Sequence, residues 1–241
     1  MKTKLYILLW SVIIFGLLCG FAADRSLAAD YKTVKTIYIG QNMSLPSEWR
    51  VVAYEENAGK KYPVLPVKLC FLKQNSELPK QCETPNTSEI FFSLQTIKFQ
   101  EQKQPQKGVL LETNSYAIGG GPHYLSLWVF DNGKQKFMNI LPSNTYVGAL
   151  GTYRFFPSLQ NKSVLIIADP VRLLDYNADI DDPNRETIWS PHQYIIYIYK
   201  YVQGRGFVMT KSFKTAKKYD PEAEIDQIIH LEIKRIKTFL K

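Results

Sequence analysis

Short apolar and aromatic runs recur through most of this chain, each separated from the next by turn-forming residues. Val, Ile, Tyr and Phe dominate the runs, and these residues favour the pleated, half-buried surface of a strand. The runs predict ten strands, at 49–54, 64–72, 90–99, 109–111, 124–130, 136–141, 146–156, 164–168, 194–202 and 207–213. Such spacing predicts a mainly β fold: an antiparallel sandwich, a barrel or a propeller-like domain.

Two hairpins have clear turn signals. Asn132-Gly133 lies between apolar runs and predicts a type I′ turn, because this pair readily takes the positive φ angles of that turn. The glycine-rich segment 203–206 predicts the turn of a second hairpin. Both faces of the strands that lead into these turns are apolar, so we expect the strands to be covered on both sides.

The two hairpins resemble each other at an offset of 69 residues, with His123 at the head of one and His192 at the head of the other. Each hairpin follows an apolar strand that ends in an acid, Glu112 in the first unit and Asp169 in the second. We interpret this as a weak internal repeat of residues 109–141 and 164–213. Chance similarity between two β-hairpins is the alternative.

The C-terminal segment 220–241 has the pattern of an amphipathic helix. Asp220 and Pro221 are typical of the N-cap and the first helical position. The residues that share one apolar face are Ile225, Ile229, Ile233, Ile236 and Leu240. We expect this face to dock against the β core, with a membrane-surface role as the alternative.

The first 29 residues have the three parts of a secretory signal peptide: a basic start, an apolar run at 5–23 and a small-residue end at Ser26-Leu27-Ala28. The chain is therefore predicted to be exported to the periplasm or the extracellular space, with residues 30–241 as a single mostly β domain. An uncleaved anchor through 5–23 is one alternative, because an apolar run of 19 residues is long enough to span a bilayer. A lipoprotein signal that ends at Cys19 is another.

Cysteine usage and charge agree with export. Cys70 and Cys82 are the two cysteines after residue 29, and an even pair in an exported chain predicts a disulfide. The chain without its leader has 27 basic and 21 acidic side chains, a net charge of +6. This charge favours an anionic envelope component as partner, although solubility alone would also explain it. Another envelope protein is the alternative partner, and the exported location argues against nucleic acid.

The acidic segment 175–186 contains the candidate calcium ligands. Oxygen-bearing side chains stand at positions 1, 3, 5 and 12 of this segment, which are Asp175, Asn177, Asp179 and Glu186. This is the spacing by which a loop wraps a calcium ion. An EF-hand is excluded because Ile180 stands where the sharp turn needs glycine. A looser calcium loop and a solvated acidic insertion are the two remaining interpretations.

The two histidines at the heads of the hairpins form a second candidate site. If the repeat units face each other, His123 and His192 with Glu112 and Asp169 would make a transition-metal or hydrolytic site. The alternative is that each histidine hydrogen-bonds a nearby loop.

The functional prediction depends partly on missing motifs. The sequence contains no G-x-S-x-G elbow, HExxH motif, Walker loop or dinucleotide fingerprint. We therefore expect an exported cell-envelope binding or interaction protein with no evident catalytic motif. The alternative is a metal-dependent hydrolase or a calcium-regulated module that uses segment 175–186 and the two histidines. A purely structural subunit of an envelope complex is a third interpretation.

Overall fold

Each apolar run predicted as a strand contains strand in the structure, and the run at 146–156 contains two. The structure is a computed structural model that describes residues 31–40, 48–56, 65–87, 90–101, 104–114, 122–143, 145–160, 162–171 and 190–241. This part of the chain contains thirteen strands and three short helices. The prediction of a mainly β fold is confirmed.

The strands form three antiparallel sheets, in which successive strands of the chain lie side by side. The first sheet contains β1 (Tyr31–Ile39), β2 (Trp49–Glu56), β3 (Lys68–Lys73) and β4 (Gln81–Glu83). The second contains β5 (Ile90–Glu101), β6 (Gln104–Asn114), β7 (His123–Asp131) and β8 (Lys136–Asn139), with β9 (Tyr146–Val147) also paired to β7. The third contains β10 (Thr152–Leu159), β11 (Lys162–Pro170), β12 (Tyr194–Val202) and β13 (Gly206–Lys214).

Apolar clusters stack the three sheets in layers, as in a sandwich. Between the first and second sheets, the rings of Phe71 and Phe137 stack 4.0 Å apart, and Trp49 meets Phe137 edge-on at 5.2 Å. A second cluster, which includes Leu127 and Ile167, lies between the second and third sheets. A third cluster joins the outer face of the third sheet to the C-terminal helices.

The second and third sheets are consequently covered on both faces. In β7, Leu127 packs towards the third sheet and Trp128 towards the first. In β12, Ile198 packs against the helices and Tyr199 towards the second sheet. This confirms the expectation drawn from the apolar residues on both faces of the two hairpins.

The hairpin at Asn132-Gly133 is present, but the prediction of a type I′ turn is wrong. Asp131 pairs with Lys136, so four residues join β7 to β8. The positive φ angle falls at Gln135, at 53°, and not at Asn132 or Gly133. The Asp131 side chain explains this geometry, because its Oδ1 accepts hydrogen bonds from two loop N–H groups, that of Gly133 at 2.9 Å among them.

The two proposed repeat units take the same places in their sheets. Strands β6 to β8 and β11 to β13 are each the last three strands of a four-stranded meander. The repeat itself stays a prediction. The sequence did not predict β1 or β4: β1 is an edge strand with a register shift between Thr33 and Lys35, and β4 has three residues.

The C-terminal segment forms three short helices where the sequence predicts one. These are α1 (Pro221–Glu224), α2 (Ile228–Leu231) and α3 (Ile233–Thr238). Its docking against the β core is confirmed, because Ile229, Ile236 and Leu240 are buried on the third sheet. Ile228, which lies off the predicted apolar stripe, is buried there as well, whereas Ile225 is half-buried.

Candidate functional site

A buried glutamate, Glu112 of β6, is hydrogen-bonded to side chains from three other strands. Nδ1 of His123 lies 2.8 Å from its Oε1, and the hydroxyls of Ser93 and Tyr153 donate to its Oε2 at 3.1 and 3.0 Å. Glu112 is 6% exposed, and a carboxylate at such a position needs partners of this kind. We call these four residues the Glu112 cluster.

Sheet register brings the cluster together. Ser93 pairs with Glu112, and Glu112 pairs with Leu125, so these three side chains share one face of the second sheet. His123 lies two residues before Leu125 and therefore points to the same face. Tyr153 comes from β10 of the third sheet, which packs against that face.

His123 presents its other ring nitrogen outward. Because an ionised carboxylate only accepts hydrogen bonds, we assign Nδ1 as the donor to Glu112, which leaves Nε2 as the other ring nitrogen. Nε2 makes no hydrogen bond within the described residues and is not sealed from solvent. The side chain is 21% exposed, and the exposed ring of Phe92 meets it edge-on at 4.5 Å. The surface thus offers one oriented imidazole beside one aromatic ring.

Tyr153 is a hydrogen-bond donor in this cluster and not a phenolate. Burial raises the pKa of Tyr153, and the charge on Glu112 and the hydrogen bond to it raise that pKa further. At neutral pH the hydroxyl therefore keeps its proton and helps to fix the carboxylate that orients His123.

The other two residues of the predicted histidine site belong to the third sheet: Asp169 lies in β11, and His192 lies just before β12. His192 is buried, and its backbone forms a bridge with Tyr219 through hydrogen bonds of 2.9 and 2.7 Å. Asp169 is also buried, and its Oδ1 accepts a hydrogen bond from the backbone N–H of Gly148 at 2.9 Å. Within the described ranges, no three His, Cys, Asp or Glu residues are grouped as metal ligands would be. The four-residue metal site stays a hypothesis. Of its four residues, the structure brings Glu112 and His123 together.

Two predictions fall on residues that the structure does not describe. The candidate calcium ligands Asp175, Asn177, Asp179 and Glu186 lie in 172–189, and the leader lies in 1–30. The calcium loop and the signal peptide therefore stay predictions. None of the helices in the described ranges is long and apolar enough to span a bilayer.

The disulfide is present at the edge of the first sheet. Cys70 of β3 pairs directly with Cys82 of β4, and their sulfurs are bonded at 2.00 Å. The prediction of this pair is confirmed, and the bond is compatible with an oxidising compartment.

Sequence reasoning missed three members of the surface around His123. Ser93, Phe92 and Tyr153 carry no local motif, and they reach the site through the pairing of β5 with β6 and the packing of β10. A scan against protein-family models, a search of curated proteins and a search of solved structures each find no match for this chain.

Proposed function

We propose that this chain is an exported binding or interaction protein of the cell envelope, with the surface around His123 and Phe92 as its contact site. The observation that carries the proposal is the fixed orientation of the His123 imidazole by a glutamate whose two oxygens are both hydrogen-bonded. A polar group held in one orientation loses little entropy on binding, and an adjacent exposed ring adds apolar contact. These are properties of a recognition surface.

Export is part of the proposal and has two supports. The leader pattern at 1–29 predicts a signal peptide, and the Cys70–Cys82 bond is of the kind that persists outside the reducing cytoplasm. The net charge of +6 for residues 30–241 favours an anionic component of the envelope as partner.

Co-sedimentation with purified peptidoglycan sacculi and with washed envelope fragments tests the contact site. We expect the oxidised protein to sediment with at least one of these probes and the variants His123→Ala and Phe92→Ala to lose most of that binding. Leu78→Ala is the matched control, because Leu78 is as exposed as Phe92 but lies in the loop before the second disulfide cysteine. Equal binding by all variants would place the contact elsewhere, and no binding to either probe would count against the proposal.

A metal-dependent hydrolase is the second candidate function, and one observation favours it. Histidines that ligate metals almost always donate their other ring N–H to a carboxylate, a backbone carbonyl or a water, and His123 is paired with Glu112 in this way. Thermal unfolding with EDTA, then zinc, manganese or calcium, separates the two functions. An ion at a hundred times its dissociation constant would stabilise by about 2.7 kcal/mol, a melting shift of roughly 5–11 °C for a domain of this size.

The metal experiment has a matched histidine control. Under the binding proposal, no ion should give the wild type a rise in melting temperature that depends on His123. A zinc or manganese shift that disappears in His123→Ala and persists in His230→Ala would instead establish the metal site. His230 is suitable as the control because it is exposed on α2.

A further inference from the structure

A pocket of about 230 Å³ opens where β1 ends beside the β5–β6 hairpin. Tyr38, Ile39 and Gly40 line it from the first sheet, and residues 96–98 with Lys107 line it from the second. Its two ionisable amines, Lys98 and Lys107, have no carboxylate beside them among these lining residues. The pocket is therefore basic.

The two lysines stand directly opposite each other. Lys98 pairs with Lys107 in the register of β5 and β6, so their side chains leave the same face of the sheet with Cβ atoms about 5 Å apart. Like charges at such a cross-strand pair repel and destabilise the sheet. Neither ammonium takes part in a hydrogen bond or ion pair with the described residues. A bound anion would relieve the repulsion between the two ammoniums.

We propose that this pocket binds a phosphate group. Two ammoniums supply rotatable donors and two positive charges, and Tyr38 and Thr96, which also line the pocket, each carry a hydroxyl that can act as a neutral donor. A phosphate group carries up to two negative charges on three or more oxygens and so matches two ammoniums, whereas a carboxylate carries a single charge. Lysine is a common phosphate ligand for this reason. The phosphate can belong to a soluble ion or polymer or to a lipid headgroup, since the recognised chemistry is the same.

The pocket is separate from the Glu112 cluster. Lys107 shares its face of β6 with Val109, which is buried between the first and second sheets. Glu112 points to the opposite face, towards Tyr153 of the third sheet. Loss of contact at His123 therefore leaves the lysine pair intact, and each site can fail without the other.

Titration of the oxidised full chain with inorganic phosphate, followed by the NMR shifts of backbone amides, tests the site. We expect saturable shifts at Lys98 and Lys107, weaker binding of acetate, and a reduction by salt because the pocket is open to solvent. Lys98→Gln and Lys107→Gln should each weaken phosphate binding about tenfold, the loss expected for one charge-assisted hydrogen bond. Lys136→Gln, an exposed lysine of β8, is the control and should bind as the wild type does.

Thermal unfolding supplies a second readout that does not depend on tight binding. Without phosphate, Lys98→Gln should melt at or slightly above the wild-type temperature, because the like-charge pair is gone. With phosphate, the wild type and His123→Ala should gain stability and the double lysine variant should not. Equal phosphate binding by the wild type and the double variant, or none by the wild type, would overturn the proposal.

Vesicles identify the source of the phosphate. Binding to phosphatidylglycerol vesicles but not to phosphatidylcholine vesicles, lost in the double lysine variant, assigns the site to an anionic lipid headgroup. Binding of inorganic phosphate without vesicle binding assigns it to a soluble or polymer phosphate. Both results support the phosphate site, whereas vesicle binding that survives in the double variant contradicts it.

Discussion

Replacing Tyr153 with phenylalanine removes one hydrogen bond from the Glu112 cluster and leaves the packed ring in place. The bond that is lost runs 3.0 Å from a hydroxyl to a buried carboxylate. Hydrogen bonds to charged groups contribute roughly 1.5–3 kcal/mol. Because Ser93 and His123 still satisfy Glu112 after the change, we expect the lower end of this range, a loss of about 1.5–2 kcal/mol in the free energy of unfolding.

Urea unfolding measures this loss directly. The midpoint should fall while the slope of free energy against urea stays constant, since the surface exposed on unfolding is unchanged. A parallel thermal experiment should show a melting temperature lower by about 3–8 °C, given about 2–4 °C per kcal/mol for a domain of this size.

Tyr194→Phe is the matched control, because the same atom is removed from a different environment. The Tyr194 hydroxyl is fully buried and has no hydrogen-bond partner in the described part of the chain. An unsatisfied buried hydroxyl destabilises, so its removal should leave stability unchanged or raise it by up to about 1 kcal/mol. Equal losses in Tyr153→Phe and Tyr194→Phe would refute the role given to the Glu112 hydrogen bond.

Three further outcomes follow from the structure. Replacing Cys70 and Cys82 with alanine should lower the free energy of unfolding in urea by about 3 kcal/mol, because the short loop between them is no longer closed in the unfolded chain. Burial raises the pKa of Tyr194 to about 12 and also raises the pKa of Tyr153, so the folded state favours the neutral form of both side chains. The contribution of these residues to stability is therefore complete below pH 10 and is lost as the pH rises above 10. Melting temperatures should fall over that range, and they should fall less steeply in Tyr153→Phe. Lys200 donates a hydrogen bond of 3.1 Å to the backbone carbonyl that follows α3. Lys200→Met should therefore lower the free energy of unfolding by about 1 kcal/mol and speed amide hydrogen exchange in α3.

The positions of strands could be predicted because each run carries its own signal. The run at 194–202 matches β12 at both ends, since Val, Ile and Tyr fill it and a glycine-rich turn follows it. β1 lacked this signal because Lys and Thr interrupt its Tyr, Val and Ile residues, and as an edge strand it exposes Lys32, Thr33 and Lys35. The turn at Asn132-Gly133 was wrong because a neighbouring side chain, Asp131, decided the loop geometry.

The candidate site was predictable only in part, because its members come from different strands. His123 and Glu112 could be named as a pair because Glu112 follows one strong apolar run and His123 precedes the next. Their contact depends on β6 pairing with β7 in one register, in which Asn114 lies opposite His123. Tyr153 could not be found in this way, because it reaches Glu112 across the space between two sheets. Packing between sheets leaves no spacing rule in the sequence.

The second sheet determines how the two proposed contact surfaces are related. Ser93 of the Glu112 cluster and Lys98 of the basic pocket lie five residues apart on β5, about 17 Å along the strand. They point to opposite faces, and the strand between them is held by apolar clusters on both sides. A small ligand can therefore contact one surface only, and an extended polymer has to pass round the edge of the sheet to contact both. Because close-packed clusters resist local bending, binding at one surface is not expected to reshape the other. For this reason the losses caused by His123→Ala and by the lysine variants report on two separate sites.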